Sequence, residues 1–211
     1  MEGVWAKLSS ELPRGLPRAA FALNQQACRL AALAEAGVPP CEALTAATEA
    51  HAAALAAFAE GALEAHLRVW TAWVNRVVAD TGVAVEAARG GGGAPPPPAR
   101  PSPKQLLAAL PEGFKPPLDP AEAEAAVRDL GLTWKGALAA INEEVERYFG
   151  GAGGKTARDV LKACFSEVAE YHQRGVLLLG RAFPSSPPAW AREMTTIQAI
   201  YFEIRRYGRA E

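Results

Sequence analysis

The sequence predicts an all-α protein built as an elongated antiparallel helical bundle, and three observations lead to this prediction. Half of the residues are hydrophobic, and many of these are alanine, the residue with the highest helix propensity. Runs in which Val, Ile or Thr alternate with polar residues, which are typical of strands, are missing from the sequence. Larger apolar residues instead recur every three or four positions in the C-terminal part, which is the spacing of one helix face.

The first part of the chain divides into a lead-in and a helical region. Residues 1–18 contain two prolines and are predicted to form a loose lead-in. Residues 19–89 are predicted as an alanine-rich helical region, with one helix over 19–36 and a longer one over 41–88. Gly37 and two prolines after it are expected to end the first helix. The positions where the longer helix is expected to bend or stop are Gly61 and Gly82.

Residues 90–118 are predicted to form a Gly/Pro-rich linker or surface insertion. The segment GGGGAPPPPARPSP combines flexible glycine with a stiff proline run. Its proline run formally matches a ligand of SH3 or WW domains. Residues 104–118 are expected to hold a short helix at best, because three prolines interrupt them.

Residues 119–211 are predicted to form a C-terminal three-helix bundle. Asp119 is a suitable N-cap for the best-marked helix, and Pro120 fits its first turn. Short links between the closing helices predict antiparallel neighbours. Apolar stripes on the predicted helices define the candidate core, which comprises Trp70, Trp134, Leu138, Ile141, Val145, Phe165, Tyr171, Ile200 and Ile204.

Four residues are candidates for an interaction surface. Trp73 follows Trp70 by three positions, so it is expected to form a second edge that faces a partner. Trp190 lies in a proline-rich turn and is predicted to be the best exposed anchor, since tryptophan is enriched at interface hot spots. Arg205 and Arg206 in the closing helix add positive charge to this candidate surface.

Length, charge and cysteine content narrow the classes of function. The 211 residues carry 22 Lys and Arg against 23 Asp and Glu, a formal net charge of −1. This balance argues against a protein that coats nucleic acid or an anionic membrane, since both depend on summed positive charge. Apolar runs fall short of the roughly 20 residues that cross a bilayer, and the N-terminus has no apolar stretch of signal-peptide length. The three scattered cysteines predict reduced thiols, so we expect a soluble intracellular protein.

Motifs for catalysis or for a cofactor are weak. The segment GGAGGKT ends like a phosphate-binding loop, but Phe149 occupies the position where that motif requires glycine. His51, His66 and His172 lack a His or Cys three or four residues away, so no local metal site is predicted. Glu143, Glu144 and Glu146 point in different directions on a helix and are expected to form a solvated face. The sequence therefore predicts a protein without enzymatic activity, cofactor or metal.

Three C-terminal segments resemble a known family. They contain the pair Trp134–Lys135, the pair Tyr171–His172 followed by Arg174, and a closing Ile204-Arg205-Arg206-Tyr207 pattern. Their sequences are GLTWKGALAAINEEVERYF (131–149), ARDVLKACFSEVAEYHQRG (157–175) and MTTIQAIYFEIRRYG (194–208). These segments look like the C-terminal end of the vacuolar protein sorting-associated protein fifty-two family. Members of that family are subunits of the Golgi-associated retrograde protein (GARP) complex.

The resemblance implies a role in membrane tethering. Such a complex captures carriers arriving from endosomes at the trans-Golgi network, and a related complex acts at recycling endosomes. The implied partners are sister tethering subunits joined through coiled coils, a Rab GTPase and SNARE proteins. The implied location is the cytoplasm, peripheral to the trans-Golgi network and endosomes, with membrane association only through partners. Family members are several times longer, and this chain resembles their C-terminal part alone.

Two other classes of function stay open from the sequence. A helical membrane-curvature or adaptor module would need a basic concave face, to which Arg174, Arg181, Arg192 and the arginines of the closing helix would contribute. A nucleotide-binding enzyme would use the segment from Gly150 to Thr156, including Lys155. Salt-sensitive liposome binding would favour the first class, and nucleotide binding lost in Lys155→Ala would favour the second.

Overall fold

The computed structural model of the chain describes Leu12 and residues 15–88, 101–150 and 154–207. These residues form helices without a strand among them, as the composition predicts. The helices are α1 (Leu16–Glu35), α2 (Glu42–His66), α3 (Arg68–Ala88), α4 (Pro103–Ala109), α5 (Pro120–Phe149), α6 (Gly154–Ala182), α7 (Ala189–Arg192) and α8 (Ile197–Tyr207). The predicted all-α helical bundle is therefore confirmed for this part of the chain.

Contacts divide the chain into two compact units. Among the described residues, the first unit holds those up to Ala65 together with those of 139–165, and the second holds those of 66–138 together with those from Ser166 onward. The helices α5 and α6 each contribute to both units. This division differs from the predicted boundaries at residues 90 and 119, because those were placed by composition and not by contacts.

The first unit is built around large buried side chains of α2 and α5. Phe58 is fully buried, and its ring meets Phe149 edge-on at a centroid distance of 5.0 Å. Such edge-to-face pairs are favoured by the charge distribution of aromatic rings. The helix α1 ends at Glu35, and Gly37 follows with φ 62°, as expected for a glycine that ends a helix.

The second unit contains most of the predicted core. Trp70, Trp134, Leu138, Tyr171 and Ile200 are all less than a tenth exposed, as the apolar stripes predict. The predicted core residues Ile141, Val145 and Phe165 are likewise buried, in the first unit. Ile204 is the exception, since it is only half-buried near the end of the last helix.

The helix α5 forms as the sequence predicts. It begins at Pro120, and the backbone N–H of Ala121 donates to the Asp119 carboxylate at 2.8 Å. This carboxylate also lies at the positive end of the helix dipole. The helix ends at Phe149, just before the glycine-rich segment.

The long alanine-rich helix predicted over 41–88 is two helices. The interruption falls at Leu67 and not at Gly61 or Gly82. The Thr71 hydroxyl donates to the Leu67 carbonyl at 3.0 Å, one turn earlier. The backbone N–H of Thr71 donates to the same carbonyl at 2.9 Å.

The predicted linker over 90–118 is partly a folded element. Residues 90–100 lie outside the described part of the chain, whereas Pro103–Ala109 form α4. Ser102 and Gln105 bond each other's backbone N–H groups at 3.2 and 2.8 Å, a reciprocal capping box. Leu106 and Leu110 are buried, so this segment belongs to the second unit's core.

The chain before the last helix also differs from the prediction. The three-helix bundle predicted over residues 119–211 implies a single last helix, but α7 covers four residues and α8 starts afresh at Ile197. Thr196 provides the new start, because its hydroxyl accepts a hydrogen bond from the Ala199 backbone N–H at 3.2 Å.

Candidate interaction surface

The last helix presents an aromatic and basic face. Ile200 is 1% exposed and faces the core, so residues half a turn away point outward. Phe202 is 72% exposed and Tyr201 is 44% exposed. The outer face of α8 comprises Gln198, Tyr201, Phe202, Arg205 and Arg206, all of them exposed.

The two arginines of this face have different surroundings. Arg206 donates to the Glu203 carboxylate at 2.7 Å, and Glu203 is 9% exposed. The positive charge of Arg206 is therefore largely compensated. Arg205 is exposed and has no ion-pair partner among the described residues. The outer face of α8 thus offers one uncompensated cation beside two aromatic rings.

A histidine of α6 positions the start of α8. His172 Nε2 lies 2.6 Å from the Thr195 carbonyl oxygen, and Thr195 directly precedes the Thr196 cap. A carbonyl only accepts, so Nε2 carries the proton and donates it. Burial lowers the pKa of His172 from its ordinary value of 6.5, and the Thr195 carbonyl opposes this by favouring the charged ring. His172 is therefore a neutral positioning residue for the last helix near neutral pH.

Trp190 is not the exposed anchor that the sequence predicts. Its side chain is half-buried, and its ring meets Phe183 edge-on at 5.9 Å. Phe183 directly follows α6, so this contact ties the short helix α7 back to the end of α6. Contact with Phe183 covers part of the Trp190 ring, so less of this ring is exposed to a partner.

Trp73 is not a partner-facing residue either. It is 3% exposed, and its ring lies 5.1 Å from that of Trp70. Trp73 lines a groove of about 530 Å³ between α3 and α5, which the ion pair between Arg76 and Glu122 borders. The Trp70 ring itself packs closely against Gly175, where a side chain would collide with the indole.

Arg174 is buried and does not belong to a basic face. It is 4% exposed and donates to the Pro101 carbonyl at 2.9 Å and to Glu170 at 2.9 Å. Its guanidinium also lies 4.8 Å from the centre of the Tyr171 ring. These contacts satisfy the charge inside the second unit, so Arg174 fastens the chain before α4 and cannot meet a membrane.

The described residues bear on the metal, nucleotide and membrane hypotheses as follows. No cluster of three or more His, Cys, Asp or Glu side chains suited to a metal is present in the described ranges. The Lys155 side chain of the GGAGGKT segment lies outside the described residues. None of the helices that the structure describes is both long and apolar enough to span a membrane.

The fold and its surface define a helical-bundle protein in which Phe202, on the last helix, is the most exposed aromatic residue of the described ranges. A scan against protein-family models found no match for this chain, and searches of curated proteins and of solved structures found none either.

Proposed function

We propose that this chain is a non-catalytic interaction module that binds a partner protein through the outer face of α8. The observation that carries the proposal is the 72% exposure of Phe202 beside the exposed Tyr201 and Arg205. Burying a phenylalanine ring is worth about 1.5–3 kcal/mol, so a ring left in water is favourable to cover. Aromatic residues and arginine are also the types that dominate interface energetics.

The partner surface has a definite chemistry. It carries an apolar patch for Phe202 and Tyr201, and a carboxylate for Arg205, a cation of this face that has no ion-pair partner among the described residues. An amphipathic helix with an acidic edge meets both requirements, because helix faces repeat at the same spacing as the outer face of α8.

The resemblance to the tethering family supplies the biological setting of the proposal. The chain acts as the C-terminal part of a subunit in a GARP-like vesicle tethering complex, in retrograde transport from endosomes to the Golgi. Its partners are a sister subunit, a Rab GTPase or a SNARE, and its location is the cytoplasmic side of the trans-Golgi network and endosomes. A module of packed helices suits this role, since its function resides in exposed faces and needs no reacting group.

The test is a comparison of three baits in cell extract. The full chain, the double variant Phe202→Ala with Arg205→Glu, and the control variant Leu132→Ala are each used to capture proteins for mass spectrometry. Leu132 is 87% exposed on α5, so its variant removes a similar apolar group from another surface. We expect sister tethering subunits or a SNARE with the wild-type chain and the control, and their loss with the double variant.

Two outcomes would contradict the proposal. Absence of every tethering subunit and SNARE from the wild-type capture would remove the tethering role. Equal capture by the double variant would remove the outer face of α8 as the binding surface. Salt-sensitive binding of the purified chain to anionic liposomes would favour the membrane-curvature alternative. That alternative needs a basic concave face, and the buried Arg174 cannot contribute to it.

A further inference from the structure

The groove between α3 and α5 has the size of a small-molecule site. Its volume is about 530 Å³, within the range of such sites. The lining residues of α3 run from Arg68 to Arg76, and those of α5 run from Glu122 to Ala126. All of them belong to the second unit, so one compact body holds the groove.

The length of the groove also suits a small molecule. Arg68 and Arg76 stand eight residues apart on α3, which is about 12 Å along the helix axis. A stable protein interface uses roughly 20–30 residues a side, whereas eight residues line this groove. Its dimensions therefore fit one elongated small molecule and not a partner protein.

The wall between the two arginines is apolar and open to solvent. Val69 is 47% exposed, and Ala72 and Ala125 are exposed as well. The buried Trp73 and Ala126 also line the groove and form its floor. An apolar molecule seated here would cover the exposed part of Val69, which is favourable because apolar surface leaves water.

The charged lining residues leave one positive charge uncompensated. Arg76 donates to the Glu122 carboxylate at 3.1 and 2.6 Å, so these two residues neutralise each other at one end of the groove. Arg68, at the other end, is exposed and has no ion-pair partner in the described ranges. The groove therefore favours an anion at the Arg68 end, where a guanidinium can donate two hydrogen bonds to a carboxylate.

We infer that this groove binds an elongated, mostly apolar small molecule that carries one carboxylate, which pairs with Arg68. The apolar wall supplies affinity, and the unpaired guanidinium selects an anion over a neutral or cationic molecule of the same shape. Because Arg68 is exposed, its guanidinium can meet the carboxylate without any rearrangement of the core. The site shares no residue with the outer face of α8, so it does not depend on the proposed function.

The first test compares three rod-shaped probes of nearly equal size. They are biphenyl-4-carboxylate, which is anionic near pH 7 as carboxylic acids are; biphenyl-4-carboxamide, which is neutral; and 4-phenylbenzylammonium, which is cationic. Titration of the ¹⁵N-labelled full chain, followed by NMR, is expected to give saturable binding of the carboxylate, with shifts of the Val69, Ala72 and Ala125 amides. A charge-assisted contact at a solvated site predicts about fivefold tighter binding of the carboxylate than of the carboxamide. The ammonium probe is expected to bind more weakly than both.

A second test removes the guanidinium. In Arg68→Gln, the carboxylate and the carboxamide are expected to bind equally well, because the apolar wall is intact and the positive charge is gone. Arg192→Gln is the matched control, since Arg192 is also an exposed arginine of the second unit and does not line the groove. It is expected to keep the fivefold preference for the carboxylate.

A third test fills the groove. Ala72→Leu places a larger side chain on the exposed wall and is expected to weaken binding of the carboxylate at least tenfold. Ala79→Leu is the matched control, because Ala79 is exposed on the same helix and does not line the groove. It is expected to bind the carboxylate as the wild-type chain does. Ala125→Leu repeats the test from the α5 wall, and circular dichroism checks that each variant is folded.

Three results would overturn the inference. The first is failure of biphenyl-4-carboxylate to bind saturably with shifts of the groove amides. The second is an equal affinity of the wild-type chain for the carboxamide, or a preference for the carboxylate that persists in Arg68→Gln. The third is unchanged binding of the carboxylate in both leucine variants of the groove. None of these results bears on capture of tethering subunits, so this inference and the proposed function fail or stand separately.

Discussion

Close packing of α6 against Trp70 makes the second unit sensitive to a single added methyl group. A Cβ at Gly175 would lie well under 3.0 Å from Cζ2 and Cη2 of Trp70, closer than real Cβ atoms approach. Trp70 is 1% exposed and its ring is rigid, so it has no free space to move into. We therefore predict that Gly175→Ala destabilises the protein, although alanine is the better helix former.

The magnitude follows from two opposing contributions. Overpacking a filled core costs about 1–3 kcal/mol, and this clash with a rigid ring belongs at the upper end. Replacing glycine by alanine inside a helix contributes about 1 kcal/mol in the other direction. The net loss is about 2 kcal/mol, which lowers the thermal midpoint by about 4–8 °C in a chain of this size.

Gly180→Ala is the matched control, since it makes the same substitution on the same helix. Nothing lies within 4 Å of a Cβ at Gly180, so only the helix-propensity gain of about 1 kcal/mol applies. The assay is thermal unfolding followed by far-UV circular dichroism. We expect the midpoint to fall for Gly175→Ala and to rise for Gly180→Ala.

The reasoning would be refuted if both variants raised the midpoint. A double variant provides a further check, because Trp70→Phe removes the ring atoms that an alanine at position 175 would strike. The effects of the two substitutions should then combine non-additively, with a coupling free energy of about 0.5–3 kcal/mol. Strictly additive effects would show that the two residues do not touch.

Three other predictions concern the core, the histidine and the surface. Trp134→Ala should cost about 3–5 kcal/mol of unfolding free energy in denaturant titration, because the ring is 8% exposed in the second unit; an unchanged midpoint would show that it is not packed. Stability should fall as the pH drops below 6.5, because the lowered pKa of His172 means that the unfolded chain binds more protons there. A single titrating group contributes a slope of at most about 1.4 kcal/mol per pH unit. His172→Gln should reduce the slope, and an unchanged slope in this variant would assign the pH dependence to other groups. Phe202→Ala should change the unfolding free energy by no more than about 0.5 kcal/mol, since this ring is mostly in water, and a larger loss would mean that Phe202 is a structural residue.

The candidate surface could be predicted only in part. Arg205 and Arg206 were expected at an interaction surface, and both are exposed on α8. Trp73 and Trp190 were expected there as well, yet one is buried and the other half-buried. Phe202 was missed, although its position two residues after the buried Ile200 places it on the opposite side of the helix. Assigning a helix angle to each aromatic residue would have found it.

Local sequence was sufficient for features that depend on neighbours along the chain. The limits of α5 follow from Asp119, from Pro120 and from the glycines after Phe149, all of which act within one helical turn. Its buried stripe follows from a spacing of three and four residues, which any isolated helix would present. The absence of alternating patterns likewise predicts the absence of strands seen in the described ranges.

Contacts between distant residues required the folded structure. The burial of Arg174 depends on the Pro101 carbonyl, the burial of Trp70 depends on the bare backbone at Gly175, and the start of α8 depends on His172 reaching Thr195. A charged, aromatic or polar side chain is buried only where another part of the chain offers its partner or its space. Residue type and spacing along the chain do not show which distant residues come into contact. Only the packing of the folded chain decides those contacts.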